Sequence, residues 1–257
     1  MSIEAIANHI VKWLNDYLEN SGAQGFIVGI SGGIDSAVTS ALCAMTGKPV
    51  HLLSMPIRQE KHQYQRALNH IKDMETKYPN VSSMDIDLTA TFEQLEIDLP
   101  KETAEDFLAM ANTRSRLRMT TLYAVGQSKK CLVVGTGNKV EDFGVGFFTK
   151  YGDGGVDLSP IADLKKSEVW ALGKEIGVRE DIIQAKPTDG LWGDDRSDED
   201  QIGASYPELE WAMEFKGDEL KLSDRQREVL NIYRGYHQAN MHKMVPIPVC
   251  IIPDELR

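Results

Sequence analysis

Apolar residues near the start of the chain recur every three or four positions, which is the spacing of one face of an α-helix. They are Ile3, Ile6, Ile10, Trp13, Leu14 and Tyr17. The segment Asn20, Ser21 and Gly22 follows this run and provides a stop signal for the helix. The chain therefore begins with a predicted amphipathic helix.

Four later runs have the pattern of β-strands. They cover residues 25–30, 50–55, 81–88 and 131–135. Helical patterns separate them at residues 35–45, 61–77 and 102–128. This alternation predicts an α/β fold, namely a Rossmann-like open parallel sheet flanked by helices on both faces.

The second half of the chain predicts further helices at residues 166–176, 207–214 and 223–242. Residues 186–201 combine glycine, proline and six acidic residues, which is typical of a mobile or ligand-ordered loop. Residues 246–253 are apolar and proline-rich, and we expect them to form an extended tail packed on a surface. Without a repeat or a linker, we expect one domain over residues 1–257.

The predicted helix at 102–128 carries an apolar stripe at helical spacing, which we expect to be its buried face. The stripe consists of Leu108, Ala111, Ser115, Met119 and Leu122. Arg116 flanks the stripe on one side, and Arg114 and Arg118 flank it on the other. Arginines in such places either lie over a core or subunit interface or concentrate positive charge for an anionic ligand.

Composition limits the classes of function. The formal net charge of -11 opposes broad nucleic-acid binding, which relies on many cations that neutralise phosphates. The chain has three cysteines, which are far apart and form no CxxC pair, so neither a disulfide framework nor a zinc site is indicated. No apolar run reaches the length of a membrane span. We therefore expect a soluble, cytoplasmic protein without a nucleic-acid or membrane partner.

The segment Ser31 to Ser36, SGGIDS, lies between a predicted strand and a predicted helix, as a phosphate-binding turn does. It is no Walker A loop, because no lysine lies between Lys12 and Lys48. A carboxylate beside phosphates is repulsive unless a cation lies between them, so Asp35 suggests Mg²⁺. The alternative is a Gly-Gly turn that happens to precede a helix.

Two further segments carry candidate chemistry. In VVGTGNKVE, a predicted strand is followed by Thr136 and by Glu141, which is either a helix-dipole residue or a second Mg²⁺ ligand. In GFFTKYGDGGVD, four glycines and two aspartates surround Lys150, and no regular element accommodates them easily. We predict a shaped loop there.

The SGGIDS segment resembles the pyrophosphate loop of the N-type ATP pyrophosphatases, which cleave ATP between its α and β phosphates. A more specific resemblance covers residues 3–248: GISGGIDSAV, NTRSRLRM, VVGTGNKVE, GFFTKYGDGGVDLSPI, LKKSEV, KPTDGLW and MHK resemble the ammonia-dependent NAD synthetases. The resemblance implies the N-type ATP pyrophosphatase fold. It also implies ATP-dependent amidation of deamido-NAD by ammonia, which gives NAD, AMP and pyrophosphate.

The resemblance also implies residue roles. The implied ATP contacts are Gly29, Ile30, Ser31, Gly32, Gly33, Ile34, Asp35, Ser36, Thr136, Lys166 and Thr188. Asp35 and Glu141 would hold Mg²⁺. The implied deamido-NAD contacts are Arg116, Lys150, Asp157, His242 and Lys243. Several of these would reach into a site shared with a second subunit, so a homodimer is expected.

The chemistry of amidation adds two roles. A carboxylate does not react with ammonia at neutral pH, so it must first attack the ATP α-phosphorus and form an acyl-adenylate. Lys166 would stabilise the charge that develops in this step. The second step needs neutral ammonia, and we assign deprotonation of ammonium to Asp153 as a hypothesis. The alternative is that Asp153 only shapes its turn.

The chain departs from the family pattern in two places. Many members have Gly-Thr-Asp-His where this chain has Gly135, Thr136, Gly137 and Asn138, so a role of that Asp-His pair cannot be transferred. In the motif NxxARxRM, Ser115 replaces alanine, a small-for-small exchange.

Three competing functions would each require other features of the sequence. A related pyrophosphatase that modifies tRNA would need a basic surface, and the sulfur-transferring ones would need paired cysteines. A glutamine-hydrolysing synthetase would need an added amidotransferase domain, so free ammonia is the expected nitrogen source unless another polypeptide delivers it. A regulatory nucleotide-binding module would tolerate loss of Asp35 or Glu141, and both are present.

Overall fold

The computed structural model describes residues 2–187 and 197–257. Its sheet has four parallel strands in the order β3-β2-β1-β4. The strands are β1 (Gly25–Gly29), β2 (Val50–Ser54), β3 (Val81–Asp85) and β4 (Cys131–Val134). All four lie where the sequence predicts them. The predicted α/β fold with an open parallel sheet is confirmed.

The first seven helices lie before, between and after the strands. They are α1 (Ile3–Ser21), α2 (Ile34–Met45), α3 (Lys61–Lys77), α4 (Thr89–Asp98), α5 (Lys101–Ala104), α6 (Phe107–Lys129) and α7 (Lys166–Glu175). The remaining α-helices are α8 (Glu180–Ile183), α9 (Asp198–Ile202), α10 (Tyr206–Glu214) and α11 (Asp224–Met244). A π-helix spans Lys139–Val145, and short 3-10 helices span Glu219–Lys221 and Asp254–Leu256. None of the helices in the described ranges is sufficiently long and apolar to cross a membrane.

Strand β1 shows why a central strand of this sheet is apolar at successive positions. Phe26 and Val28 pack into the core beneath α1, α2, α3 and α7, whereas Ile27 packs with α4 and α6 on the opposite face. Successive side chains of a strand point to opposite faces, so a strand covered on both sides needs apolar residues at every position. A third core lies among the π-helix, α10 and α11.

The structure corrects three expectations about these elements. The single helix predicted over 102–128 is two helices, because Asp106 caps a new helix by accepting a hydrogen bond from the Ala109 amide at 3.0 Å. Leu108, assigned to a buried stripe, is 66% exposed. The tail is not packed on this chain, since Val249 and Ile251 are 75% and 77% exposed. Most of the predicted loop at 186–201 lies outside the described residues.

Candidate active site

The topology places a crevice between β1 and β4. From β1 the chain moves outward to β2 and β3 and then returns to the other side of β1 as β4. The connections that follow β1 and β4 therefore diverge at the carboxyl edge of the sheet, which is where open α/β sheets bind ligands. The segments after β1 and β4 contain SGGIDS and GTGNKVE, so the two candidate motifs meet at this edge.

The turn after β1 depends on Gly32. Its φ is +84°, and a Cβ atom there would lie 2.8 Å from the Gln63 carbonyl oxygen and 3.1 Å from the Ala67 amide nitrogen. Backbone atoms of α3 thus occupy the space that any side chain would need. Only glycine fits both the positive φ and this close approach.

The hydroxyls of Ser31 and Ser36 hold the turn in shape. The two oxygens lie 3.1 Å apart, the Ser36 hydroxyl donates to the Gly33 carbonyl at 3.0 Å, and the Gly33 amide donates to the Ser31 hydroxyl at 3.2 Å. Helix α2 starts after Gly33 without a side-chain cap. The amides of its first turn therefore face the crevice edge without a capping side chain, as a phosphate site requires.

A buried lysine joins the two sides of the crevice. The Lys166 ammonium, on α7, lies 2.6 Å from Oδ2 of Asp35 and 2.8 Å from Oε1 of Glu141. The Lys166 side chain is 2% exposed, whereas the carboxylates are 17% and 16% exposed. Burial favours neutral lysine, but the two carboxylates outweigh it and raise the Lys166 pKa. Lys166 is therefore a charged ammonium that holds both carboxylates at one point.

Two polar side chains complete this cluster. The fully buried Asn138 accepts from the amides of Val140 and Glu141, which caps the π-helix, and donates to Oδ1 of Asp35 at 3.1 Å. The Tyr206 hydroxyl donates to Oε1 of Glu141 at 2.5 Å.

The two carboxylates differ in their protonation behaviour. Burial raises the Asp35 pKa, and the charge of Glu141 adds to this effect, while Lys166 opposes it. Burial also acts on Glu141, but Lys166, Tyr206 and Asn138 outweigh it and lower the Glu141 pKa. The pair thus carries one firmly ionised carboxylate, with Asp35 as the partner that protonates more easily.

The same carboxylates are suitable donors for a metal ion. They converge on one cation, the Lys166 ammonium, and hard carboxylate oxygens are the donors that Mg²⁺ prefers. Within residues 2–187 and 197–257 no group of three or more His, Cys, Asp or Glu residues is arranged to hold a metal. A Mg²⁺ ion at Asp35 and Glu141 would therefore depend on substrate phosphate oxygens for further ligands.

The predicted shaped loop at 146–157 contains turns but no strand or helix. Oδ1 of Asp153 accepts hydrogen bonds from the Thr149 amide at 3.0 Å and from the Ser115 hydroxyl at 2.7 Å. The Asp153 amide donates back to the Ser115 oxygen at 2.8 Å. Asp153 is an exposed residue of the loop, and desolvation of its carboxyl raises the Asp153 pKa, while the hydrogen bonds from Ser115 and Thr149 oppose this rise. Asp153 therefore holds the loop on α6 through one oxygen.

Four of the predicted dinucleotide contacts lie together beside this loop. The Arg116 guanidinium donates to the Lys150 carbonyl at 3.2 Å, and the Lys150 ammonium donates to the His242 carbonyl at 2.8 Å. The Lys243 ammonium donates to the Phe148 carbonyl at 2.7 Å. In this cationic group, Arg116 lies on α6 and Lys150 lies on the loop. His242 and Lys243 lie on α11.

The other predicted contacts are placed differently. Asp157 accepts from the Val133 amide at 2.8 Å and from the Tyr123 hydroxyl at 3.0 Å, so its carboxylate ties the loop to β4 and α6. Thr136 is half-buried two residues after β4, at the crevice. Thr188 lies outside the described residues.

Sequence reasoning missed three groups of this site. Asn138 had a signal, because an asparagine directly before a helix start is a typical cap. Ser115 was taken for a packing residue, but it binds Asp153. Tyr206 had no local signal, because it contacts a carboxylate 65 positions away in sequence.

Comparison with known proteins agrees with this geometry. The sequence model of the family described as NAD synthase matches residues 6–245. An NH(3)-dependent NAD(+) synthetase of Mycoplasma genitalium is 40% identical over 89% of this chain and 90% of its own length. One of Syntrophomonas wolfei is 36% identical over the full length of both.

Solved structures give the same result. An NMN synthetase of Francisella tularensis superposes with a TM-score of 0.85 and 32% identity over 99% of both chains. The NH3-dependent NAD synthetase of Campylobacter jejuni superposes with a TM-score of 0.78 and 26% identity, over 98% of this chain and 100% of its own. The chain therefore belongs to the NAD synthase family.

Proposed function

We propose that this protein, as a single domain over residues 1–257, amidates deamido-NAD with ammonia at the expense of ATP. The products are NAD, AMP and pyrophosphate, and an acyl-adenylate is the intermediate. The observation that carries the proposal is the meeting of Asp35 and Glu141 at one cation, beside the uncapped start of α2. Family membership supports the amidation of a nicotinate group rather than another acceptor.

The first step brings a carboxylate and a triphosphate together, so the site must neutralise negative charge and align the reacting atoms. The amides of residues 29–36 and the hydroxyls of Ser31 and Ser36 would bind the phosphates, and Thr136 and Thr188 would contact the nucleotide. Lys166 keeps its positive charge although it is buried, which suits it to stabilise the charge on the leaving pyrophosphate. Asp35 and Glu141 would hold Mg²⁺, which neutralises phosphate charge when bound.

The second step requires a proton acceptor for ammonium. We propose Asp153 as this acceptor, because desolvation raises the pKa of its carboxyl and one of its oxygens accepts none of the loop hydrogen bonds described above. The same hydrogen bonds also support the simpler role, in which Asp153 only holds the loop. A loss of amide formation in Asp153→Asn that is equal at low and high pH would favour that simpler role.

The cationic group around Lys150 is proposed to bind the anionic dinucleotide. Arg116, His242 and Lys243 lie beside Lys150, while Asp157 would act from the far end of the loop. The dinucleotide would then present its nicotinate carboxylate to the α-phosphorus of ATP.

We also propose that two chains share these sites as a homodimer. The tail residues Ile247, Val249 and Ile251 are 65%, 75% and 77% exposed, and such apolar surface is typical of an interface. Removal of residues 246–257 should convert a dimer to monomers in sedimentation experiments and lower activity. A full-length chain that is monomeric at all concentrations and fully active would contradict the shared site.

The proposed partners are thus ATP, deamido-NAD, ammonia and a second copy, without nucleic acid or membrane. A reducing cytoplasm suits the three cysteines, all of which are free.

The direct test is to incubate the protein with ATP, Mg²⁺ and deamido-NAD, with either ammonium or glutamine as the nitrogen source. NAD and AMP should form with ammonium alone. Nicotinate mononucleotide is tested as an alternative carboxylate substrate, because the NMN synthetase of Francisella tularensis has a closely similar fold. A higher kcat/KM for the mononucleotide than for deamido-NAD would show that the mononucleotide is the preferred substrate of the same amidation reaction. AMP release that depends on tRNA would contradict both.

A further inference from the structure

Arg66 lies against the SGGIDS turn and has no role in the reaction described so far. It belongs to α3, and its guanidinium Nε donates to the Gly32 carbonyl at 2.7 Å. The same face of the helix carries Gln63 and Ala67, whose backbone atoms take the space that a side chain at Gly32 would need. The helix that packs on the turn therefore holds the guanidinium beside it.

The terminal nitrogens of this guanidinium are available for a ligand. Arginine carries N–H donors on Nε and on both terminal nitrogens, and only Nε is used here. Within residues 2–187 and 197–257 the Arg66 side chain makes no ion pair with a carboxylate. Asp181 acts on it through space, but the Asp181 carboxylate pairs with Arg179 at 2.9 Å. The remaining donors can thus bind an anion.

Arg66 is a half-buried positive charge. Burial lowers the Arg66 pKa, and Asp181 opposes this effect. Arginine nevertheless stays protonated in proteins, so the charge is present at neutral pH. A charge that loses part of its hydration without gaining an ion pair is a cost to the fold, and a bound anion would offset this cost.

The turn needs a cation that it does not itself contain. Residues 31–36 include one carboxylate and no basic side chain. The Lys166 ammonium is shared between Asp35 and Glu141, so these carboxylates offset its charge. Cleavage of ATP between its α and β phosphates places growing negative charge on the pyrophosphate, and a cation beside the turn would stabilise it.

Arg66 approaches the turn from the side on which α2 begins. Residues of α2 and α3 pack in one core, on the face of the sheet opposite α6. The uncapped amides at the start of α2 and the Arg66 guanidinium therefore border the turn on the same face. The cationic group around Lys150 lies beside α6 instead. The two cationic regions are thus suited to different anions.

We infer that Arg66 binds the β and γ phosphates of ATP and stabilises the pyrophosphate as it leaves. The nicotinate carboxylate forms a bond to the α-phosphorus, the bond from this phosphorus to the bridging oxygen breaks, and its electron pair goes to the pyrophosphate. Arg66 hydrogen-bonds to the pyrophosphate oxygens and transfers no proton. This inference rests on the ATP-binding part of the proposed function.

The test measures dissociation constants by calorimetry with Mg²⁺ present. The ligands are AMP, which lacks the phosphates in question, and an ATP analogue with a methylene group between the α and β phosphorus atoms, which cannot be cleaved there. Arg66→Met removes the charge at similar length, and the Kd for the analogue should rise roughly tenfold, the size of one charge-assisted contact. The Kd for AMP should stay within about twofold of the parent value.

The amidation assay adds a second readout. Because the charge on the pyrophosphate grows in the transition state, Arg66→Met should lower kcat while the KM for deamido-NAD stays unchanged. Arg66→Lys keeps the charge but loses the planar set of donors, so it should recover part of the affinity for the analogue.

Lys77→Met is the matched control. Lys77 is an exposed residue of the same helix, about 16 Å farther along it, and its ammonium also donates to a backbone carbonyl, that of Ile176 at 3.2 Å. The substitution removes the same charge from α3 and should change neither dissociation constant.

Three results would overturn the inference. They are an analogue Kd within about twofold of the parent in Arg66→Met, an equal rise in the Kd for AMP, and an equal effect of Lys77→Met. The second result would show that Arg66 only holds the turn in shape. Thermal unfolding checks that each variant folds, and Arg66→Gln takes the place of Arg66→Met if the latter does not.

Failure of the proposed function gives a different result. A parent protein that binds the analogue through Arg66 but makes no amide from either nicotinate nucleotide would refute the proposed amidation and leave the role of Arg66 standing. A parent protein that does not bind the analogue would overturn the inference itself.

Discussion

Replacement of Lys166 by methionine tests the charge arrangement of the crevice most directly. The Lys166 ammonium is the cation that touches both carboxylates, at 2.6 Å from Asp35 and 2.8 Å from Glu141, and its side chain is 2% exposed. Methionine fills the space of the lysine stem but removes the charge. Because the two carboxylates then lie together without a cation that neutralises them, Lys166→Met should lower the free energy of unfolding by about 3–5 kcal/mol.

The measurement is urea unfolding followed by tryptophan fluorescence, at pH 7 and at lower pH. Two carboxylates that share one site raise the pKa of one of them, so the folded variant binds a proton that the unfolded chain does not. The difference in free energy of unfolding between the parent and Lys166→Met should therefore become smaller as pH falls. Lys12→Met is the control, because Lys12 and Asp16 are 73% and 55% exposed, and its effect should stay below about 1 kcal/mol.

A double variant separates charge from packing. Lys166→Met with Glu141→Gln removes one positive and one negative charge, so it should recover part of the lost stability. Added Mg²⁺ should stabilise Lys166→Met more than it stabilises the parent. A loss below about 1 kcal/mol in Lys166→Met, or no recovery in the double variant, would refute the view that Lys166 neutralises the carboxylate pair.

Three further predictions concern single residues. Gly32→Ala should lower stability by about 1–3 kcal/mol and weaken ATP binding, measured by calorimetry, because its Cβ would collide with backbone atoms of α3 at positive φ; an unchanged affinity would contradict the loop assignment. Burial lowers the His70 pKa to about 4, so the parent should lose up to about 3 kcal/mol between pH 6.5 and 4 as unfolded His70 takes up protons. In His70→Gln, the free energy of unfolding should depend less on pH over this range. An equal pH dependence in the variant and the parent would contradict this role of His70. Ser115→Ala removes the hydroxyl that binds Asp153 and should destabilise the loop by about 1 kcal/mol, seen as faster amide exchange at residues 149–155; unchanged exchange there would show that Ser115 only packs.

The secondary structure of the sheet region was predictable because its causes are local. Strands buried on both faces need continuous apolar runs, and Phe26, Ile27 and Val28 meet that need without reference to distant residues. Parallel strands place their carboxyl ends on one edge, so the segments that follow β1 and β4 both emerge at that edge. The new start at Asp106 was missed, although an aspartate cap before a helix is also a local signal.

Exposure was less predictable than secondary structure. The stripe on α6 has helical spacing, but periodicity only says which residues share a face. Whether that face is covered depends on neighbouring elements, and for Leu108 nothing in the described chain covers it. The same holds for the exposed tail. Its apolar residues indicated that it packs on a surface, but they did not indicate which surface.

The sequence by itself determined the α/β architecture, the glycine turn before α2 and the identity of the carboxylates, because each depends on residue types at fixed short spacing. Tertiary structure decided how these groups meet. Lys166 reaches Asp35 across 131 positions of sequence, and Arg66 reaches the Gly32 carbonyl across 34. Such contacts depend on how helices pack against the sheet, and this packing is set by the whole core rather than by any local pattern.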